Sequence, residues 1–262
     1  WMTVRVVTAE QLGQVFSSLG LDEPRIVVSG NFAAPSSALE ILDTAGTVVN
    51  AYQSTDQAAE AKPVEVVEDM GMNETRFLDS DTLGSAAGLN RFHWDMTWRG
   101  AWHERDEDDE DSDPPFDDGP LVAPGSYTLR LTVGETVREA TVAIEMDPRV
   151  LENGVTAAMV ARQVDVQLQI ADLLERSRRL AAALEKEREG LADDSARAGA
   201  IDTVLEQLVT KDGTYMQPML IDQVEYLYNM ISDADQPPGQ DALERLETLS
   251  QAFAAITESA AE

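Results

Sequence analysis

The spacing of apolar and polar positions changes period once along this chain, near residue 148. Before that point the apolar residues come in short runs of period two, separated by Gly, Pro, Asn and Asp. The runs TVRVV (3–7), RIVVSG (25–30), ALEIL (38–42), TVVNAYQ (47–53), ETRFL (74–78), NRFHWDM (90–96), SYTLRLTV (126–133) and TVREATVAIEM (136–146) read as strands. Short strands with frequent turn signals predict an antiparallel β-sandwich of fibronectin-III or immunoglobulin type. DTAG (43–46) and VGET (133–136) have the residues of tight hairpin turns. AEQLGQVFSSLG (9–20) reads as a short helix within this pattern.

Beyond DPR (147–149) the apolar positions move to helical spacing. Val166, Ile170, Leu173, Ser177, Leu180 and Leu184 form a heptad seam. Ile201, Val204, Leu205 and Leu208 mark a second helix, and DDS (193–195) supplies side chains that cap its first turn. Ile221, Val224, Tyr228 and Ile231 mark a third, and Leu243, Leu246, Phe253 and Ile256 a fourth after the loop DADQPPGQ (233–240). The economical arrangement is an antiparallel four-helix bundle. The predicted domains are therefore a β-sandwich over 1–147, carrying an acidic insertion at 104–118, and a helical bundle over 148–262.

Two short segments carry the candidate chemistry of the first domain. GLNRFHWDMTW (88–98) concentrates aromatic residues in a chain otherwise poor in them. As a strand it puts Phe92, Trp94, Met96 and Trp98 on one face and Arg91, His93, Asp95, Thr97 and Arg99 on the other, the pattern of a half-buried sandwich strand. Trp102 and His103 fall past the expected strand end and are the candidate carbohydrate contacts. The second segment, ERDEDDEDSDPPFDD (104–118), holds ten carboxylates in fifteen residues. Asp109, Asp111 and Asp113 alternate as calcium ligands do, but the Gly and Glu of an EF-hand loop are missing. Like-charge repulsion alone also explains an extended, solvated insertion.

Other chemistry is scarce. Cysteine is absent, which removes disulfides, thiolate nucleophiles and thiolate-bound metals. No G-x-S-x-G, H-E-x-x-H, phosphate-loop or dinucleotide fingerprint occurs. No resident cofactor is expected, calcium apart. The net charge of −30 comes from 49 acidic against 19 basic residues, of which only Lys62, Lys186 and Lys211 are lysines. Such a surface repels nucleic-acid phosphates and anionic membranes. It also suits a saline habitat, where screening weakens the self-repulsion. No apolar run is long enough to span a bilayer, and no signal peptide opens the chain. A leading Trp1 suggests a processed product or a fragment.

The order GLNRFHWDMTW, GPLVAPGSYTLRLTV (119–133), then MDPR (146–149) resembles the C-terminal region of bacterial secreted β-propeller proteins. These belong to the sortilin/VPS10-like, BNR-repeat or "glycosyl hydrolase" group. ALEILDTAGTVV (38–49) is similar to their preceding hairpin, and the resemblance covers residues 36 to 262. It implies an exported bacterial protein whose partner is a β-propeller domain or subunit, or another protein, with self-association open. Sialidase-like or glycosidase activity would belong to the propeller, for which this chain has no sequence of sufficient length. The APG turn (123–125) reads as a strand entry, with Pro124 fixing φ and Gly125 permitting a positive φ. Tyr127, Leu129, Leu131 and Val133 then alternate inward.

One feature of the helical half exceeds what its own core needs. The third helix carries Tyr215, Met216, Met219, Leu220, Tyr226, Leu227 and Met230 around its seam, more than one apolar stripe. Tyr226 and Met230 are the candidate interaction surface, tyrosine and methionine being residue types that docking surfaces favour.

Overall fold

The structure, a computed structural model, describes residues 2–5, 37–54, 83, 92–104, 116–211, 213–232 and 236–260. The helix expected at 9–20 and the strands expected at 25–30 and 74–78 lie outside these. Among the described residues the fold is mixed, an antiparallel sheet region and five helices. The strands are β1 (Met2–Arg5), β2 (Ser37–Leu42), β3 (Val48–Gln53), β4 (Thr97–Trp102), β5 (Phe116–Leu121), β6 (Gly125–Val133) and β7 (Thr136–Met146). The helices are α1 (Pro148–Glu152), α2 (Ala157–Glu189), α3 (Ala196–Leu208), α4 (Leu220–Ser232) and α5 (Gln240–Ala260). They form two compact units, Trp1–Thr97 with Pro124–Asn153, and Trp98–Ala123 with Gly154–Glu262.

In the first unit, five strands pair in the order β1-β7-β6-β2-β3. Both predicted hairpins are present. The β2–β3 turn is held by the Asp43 carboxylate, which accepts from the backbone N–H groups of Ala45 and Thr47, each at 2.8 Å. Gly46 takes the positive φ (83°) that this turn requires. The β6–β7 turn puts Gly134 (φ 56°) first of its two loop residues, and Val133 pairs with Thr136 across it. The inner face buries Leu39, Ile41, Val49, Tyr52, Tyr127, Leu129, Val142 and Ile144. Burial fades toward the β6–β7 turn, so Leu131 and Val133, expected inward, are only half-buried. Gly125 lies inside β6, paired with Ile144, and is not among the glycines with positive φ. The expected strand entry therefore needs no such conformation.

The aromatic segment departs from expectation in form. Phe92, Trp94 and Met96 are buried in alternation, but residues 92–95 are irregular and β4 begins only at Thr97. The break has a local cause. Asp95 Oδ1 accepts from the backbone N–H of Thr97 (3.0 Å) and from its hydroxyl (2.7 Å), while the Trp94 indole N–H donates to the Thr97 carbonyl at 3.1 Å. Met96 sits at φ 64°. These bonds close a turn where a ladder would otherwise run. Trp98, expected on the same face as Phe92, Trp94 and Met96, lies beyond that turn and is half-buried in the other unit. Trp94, 2% exposed, meets the Tyr127 ring edge-on at 6.0 Å, and Phe92 packs on Tyr52 with centroids 4.5 Å apart.

The unit ends in the DPR helix start. Asp147 caps α1 by accepting from the Arg149 N–H at 2.8 Å, Pro148 fills the first helical position, and the Arg149 guanidinium binds the same carboxylate. That pairing lowers the Asp147 pKa to about 2.

In the second unit, α2–α5 share one core. At 1.5 Å per residue the 33 residues of α2 extend roughly 50 Å. Its buried line includes Val166, Ile170, Leu173, Ser177 and Leu184 from the predicted seam, with Leu180 half-buried. Buried polar groups on α2 are satisfied by helix carbonyls or hydroxyls. Gln163 Nε2 donates to the Ile231 carbonyl (2.9 Å), Gln167 Nε2 to the Ser232 hydroxyl (3.1 Å), and Ser177 to the Leu173 carbonyl (2.8 Å). The first two reach the last turn of α4, while Arg178 meets Glu225 nearer its start, so α4 runs antiparallel to α2. Ser195 Oγ caps α3 from the Ala198 N–H at 3.0 Å, as DDS predicts.

β4 and β5 form a separate two-stranded sheet that clusters with these helices, although they precede β6 in sequence. The sequence reading instead places residues 98–123 with the first domain. The physical reason for the difference is contact. Ala101 is buried in the helical core, and β5 packs on α2. β5 falls partly inside the stretch read as an acidic insertion. Its sequence FDDGPL lacks the β-branched alternation that announces a strand. Gly119 is required there, because a Cβ would collide with the Trp98 main-chain carbonyl.

Candidate functional site

Two places in the second unit contain the predicted site residues, and they are built differently. The first surrounds Trp102 at the end of β4. Its backbone N–H donates to Glu175 Oε2 (3.4 Å), and the same carboxylate accepts from Arg179 Nε through Oε1 (2.8 Å). The Arg179 guanidinium lies over the Trp102 ring, 4.6 Å from its centroid. Trp102 is half-buried, with one face under a cation that a carboxylate holds in place. That leaves at most one face for a sugar ring. His103 is also half-buried, its Nδ1 3.3 Å from the Glu104 carbonyl. Glu175 and Arg179 are partners that the sequence reading did not assign to Trp102. Four residues apart, they are recognisable as a helix ion pair. Their contact with a residue 73 positions from Glu175 is not readable from spacing.

Negative charge accumulates beside this place. Glu185 on α2 has its pKa raised, first by burial and then by the neighbouring carboxylates of Glu104 and Glu189. Asp109, Asp111 and Asp113, the candidate calcium ligands, lie outside the described residues. Among the described residues, no group of three or more His, Asp or Glu side chains is placed to hold a metal ion. The buried indole N–H of Trp98 has no hydrogen-bond partner there either, a cost of about 1–3 kcal/mol.

The second place is the outer face of α4. The apolar surplus read from the sequence divides cleanly in space. Leu220 and Leu227 join Val224 and Ile231 in the core, while Ile221 and Tyr228, assigned to the seam, are half-buried flanks. Tyr226 is 72% exposed and Met230 45% exposed. Standing four residues apart, they share one face of the helix, with exposed Asp222 one turn before Tyr226. Tyr215 and Met216, in the preceding loop, are exposed as well. This face has no acid–base pair and no nucleophile beside a base. What it offers is apolar contact area, with the Asp222 carboxylate one turn before Tyr226 and the Arg245 guanidinium held on Gln223 of the same helix.

Comparison of the chain with protein-family models, curated proteins and solved structures gives no match. Among the described residues, no helix is long and apolar enough to cross a membrane.

Proposed function

We propose that this chain is a non-catalytic structural and protein-interaction module of an exported, β-propeller-associated assembly of the sortilin/VPS10-like, BNR-repeat kind. In this reading the first unit is a fibronectin-III-like β-sandwich, of which the five-stranded sheet is one layer. Helices α2–α5 are an antiparallel four-helix bundle. Support for the fold comes from the single buried face of the sheet and from the core common to the four helices. The order of NRFHWD, PGSYTLRL and DPR supports the relation to propeller proteins.

The observation that carries the functional reading is the exposure of Tyr226 and Met230 on a helix whose core stripe is already complete. Large apolar side chains left in water beside a satisfied core fit a surface meant to be covered. A carbohydrate-binding role receives less support, because Arg179 occupies one face of Trp102.

A photoreactive phenylalanine in place of Tyr226 tests the proposal in the producing cell. The expected result is a cross-link to a protein containing a β-propeller, with none when the same group replaces Glu247 on the exposed face of α5. Turnover of aryl glycosides by the purified chain, or glycan binding lost in Trp102→Ala, would overturn it.

A further inference from the structure

We propose that Asn153 is a modification site, at which the side chain closes onto the Gly154 nitrogen, loses ammonia and reopens with water as aspartate or isoaspartate. Six asparagines occur in the chain, and Asn153 alone precedes glycine. With no Cβ on the following residue, the attacking nitrogen is unshielded and the backbone beside it can rotate.

The local structure leaves the pair free to react. Asn153 and Gly154 are both exposed, in the turn that follows α1, and so are Leu151 and Glu152 before them. The Asn153 N–H is anchored, donating to the Arg149 carbonyl at 3.2 Å. Among the described residues, by contrast, the Gly154 N–H donates to no acceptor. Gly154 sits at φ 87°, with open space within 4 Å of the position a Cβ would take. Turning ψ of Asn153 from its value of 2°, to bring the nitrogen to Cγ, therefore disrupts no buried contact. Asn50 and Asn229, the other asparagines among the described residues, stand inside β3 and α4 and precede Ala51 and Met230. There the same rotation breaks a ladder or a helical turn.

The reaction needs only water. The Gly154 nitrogen gives its proton to hydroxide and bonds to Asn153 Cγ, and the bond from Cγ to the side-chain nitrogen breaks as ammonia departs. Water then adds to one of the two carbonyls of the cyclic imide. Opening at Cγ leaves aspartate. Opening at the main-chain carbonyl leaves isoaspartate, with the chain routed through Cβ. Either product adds a negative charge between α1 and α2, and isoaspartate also lengthens the main chain there. Asn153 is the residue at which the chain leaves the sheet unit for the helical unit.

The test incubates the purified, folded chain at mildly alkaline pH, with a digest at zero time as background. Trypsin cuts after Arg149 and Arg162 and releases residues 150–162, in which Asn153 is the one asparagine. Mass spectrometry reads the gain in mass as amide becomes acid, and electron-transfer fragmentation separates isoaspartate from aspartate. The expected result is both products at residue 153, at a rate that rises with pH. That rate should exceed the rate at Asn229 by about tenfold, the factor that one lost hydrogen bond can supply. It should also lie within about tenfold of the rate in urea, where no fold restrains the pair. Asn153→Gln should abolish the conversion, because the longer side chain would have to close a larger ring. A folded-chain rate more than about tenfold below that in urea overturns the proposal, since the fold would then protect the pair. So does aspartate formed without isoaspartate, the mark of direct hydrolysis, or conversion at Asn229 as fast as at Asn153.

Discussion

The sheet unit and the helical unit solve the problem of building a core in opposite ways. In the helical unit each of α2 to α5 is announced by its own stripe, and the buried polar groups of α2 find partners on the helices themselves: Ser177 on its own helix, Gln163 and Gln167 on α4. In the sheet unit the core depends on residues that are far apart or not in a strand at all. Leu39 pairs with Leu131 across β2 and β6, and Trp94 is buried from an irregular segment. Short polar side chains, Asp43 and Asp95, shape its turns. Local periodicity can therefore specify a helix, whereas burial at every second residue does not by itself specify a ladder.

The comparison is broken most forcefully at Trp94. Replacing it with Ala removes a 2% exposed ring that packs edge-on against Tyr127 and should cost about 3–5 kcal/mol. Hydrogen exchange resolved by peptide should report an earlier urea transition of β2, β6 and β7, while the helical far-ultraviolet signal keeps its midpoint. If the helical signal fell in step, the two units would be one cooperative body and the contrast between them would lapse.

A smaller effect sharpens the boundary between the units. Gly119 faces the Trp98 carbonyl within the β4–β5 sheet, so Gly119→Ala forces main chain apart. A cost of about 1–3 kcal/mol is expected, and it should appear in the helical transition because this sheet clusters with the helices. Hydrogen exchange resolved by peptide would locate it. Faster exchange confined to β6 and β7 would assign the β4–β5 sheet to the wrong unit.

The same division explains what was legible in the sequence. Helices α2 to α5 and the two hairpin turns follow from 3.6-residue spacing, capping residues and turn residues, all of them short-range signals. Ser195, Asp43 and Gly134 act where their types predict. Residues 92–96 misled because alternating burial is shared by a strand and by an irregular segment folded over a core. The cue against a strand was Asp95 followed two residues later by Thr97, a side chain able to bond its own backbone. β5 was hidden by its carboxylates. At the candidate sites, the exposure of Tyr226 and Met230 followed from counting apolar positions beyond one stripe. The covering of Trp102 by Arg179 did not, because it joins positions 77 residues apart in number, 102 and 179.

The smallest expected effect concerns the DPR helix start, where a short-range signal serves the sheet unit. Asp147 is held well below the usual carboxylate range, to about 2 from 3.8, first by the side-chain hydrogen bond from Arg149 and then by the backbone bond at the cap. A carboxyl whose folded pKa is depressed contributes stability that is complete above its unfolded value and is lost as pH falls through the folded one. The window is therefore from about 4 down to about 2. Asn is an equally good capping residue, so Asp147→Asn removes the charge and keeps the cap. The variant should unfold at lower urea than the parent at neutral pH. The gap should narrow below about pH 4 and close near pH 2. Titration of the other 48 acidic residues is common to both proteins and cancels in the difference. A gap of constant size across that range would mean that Asp147 acts through packing and capping alone. The ion pair with Arg149 would then contribute nothing to the fold.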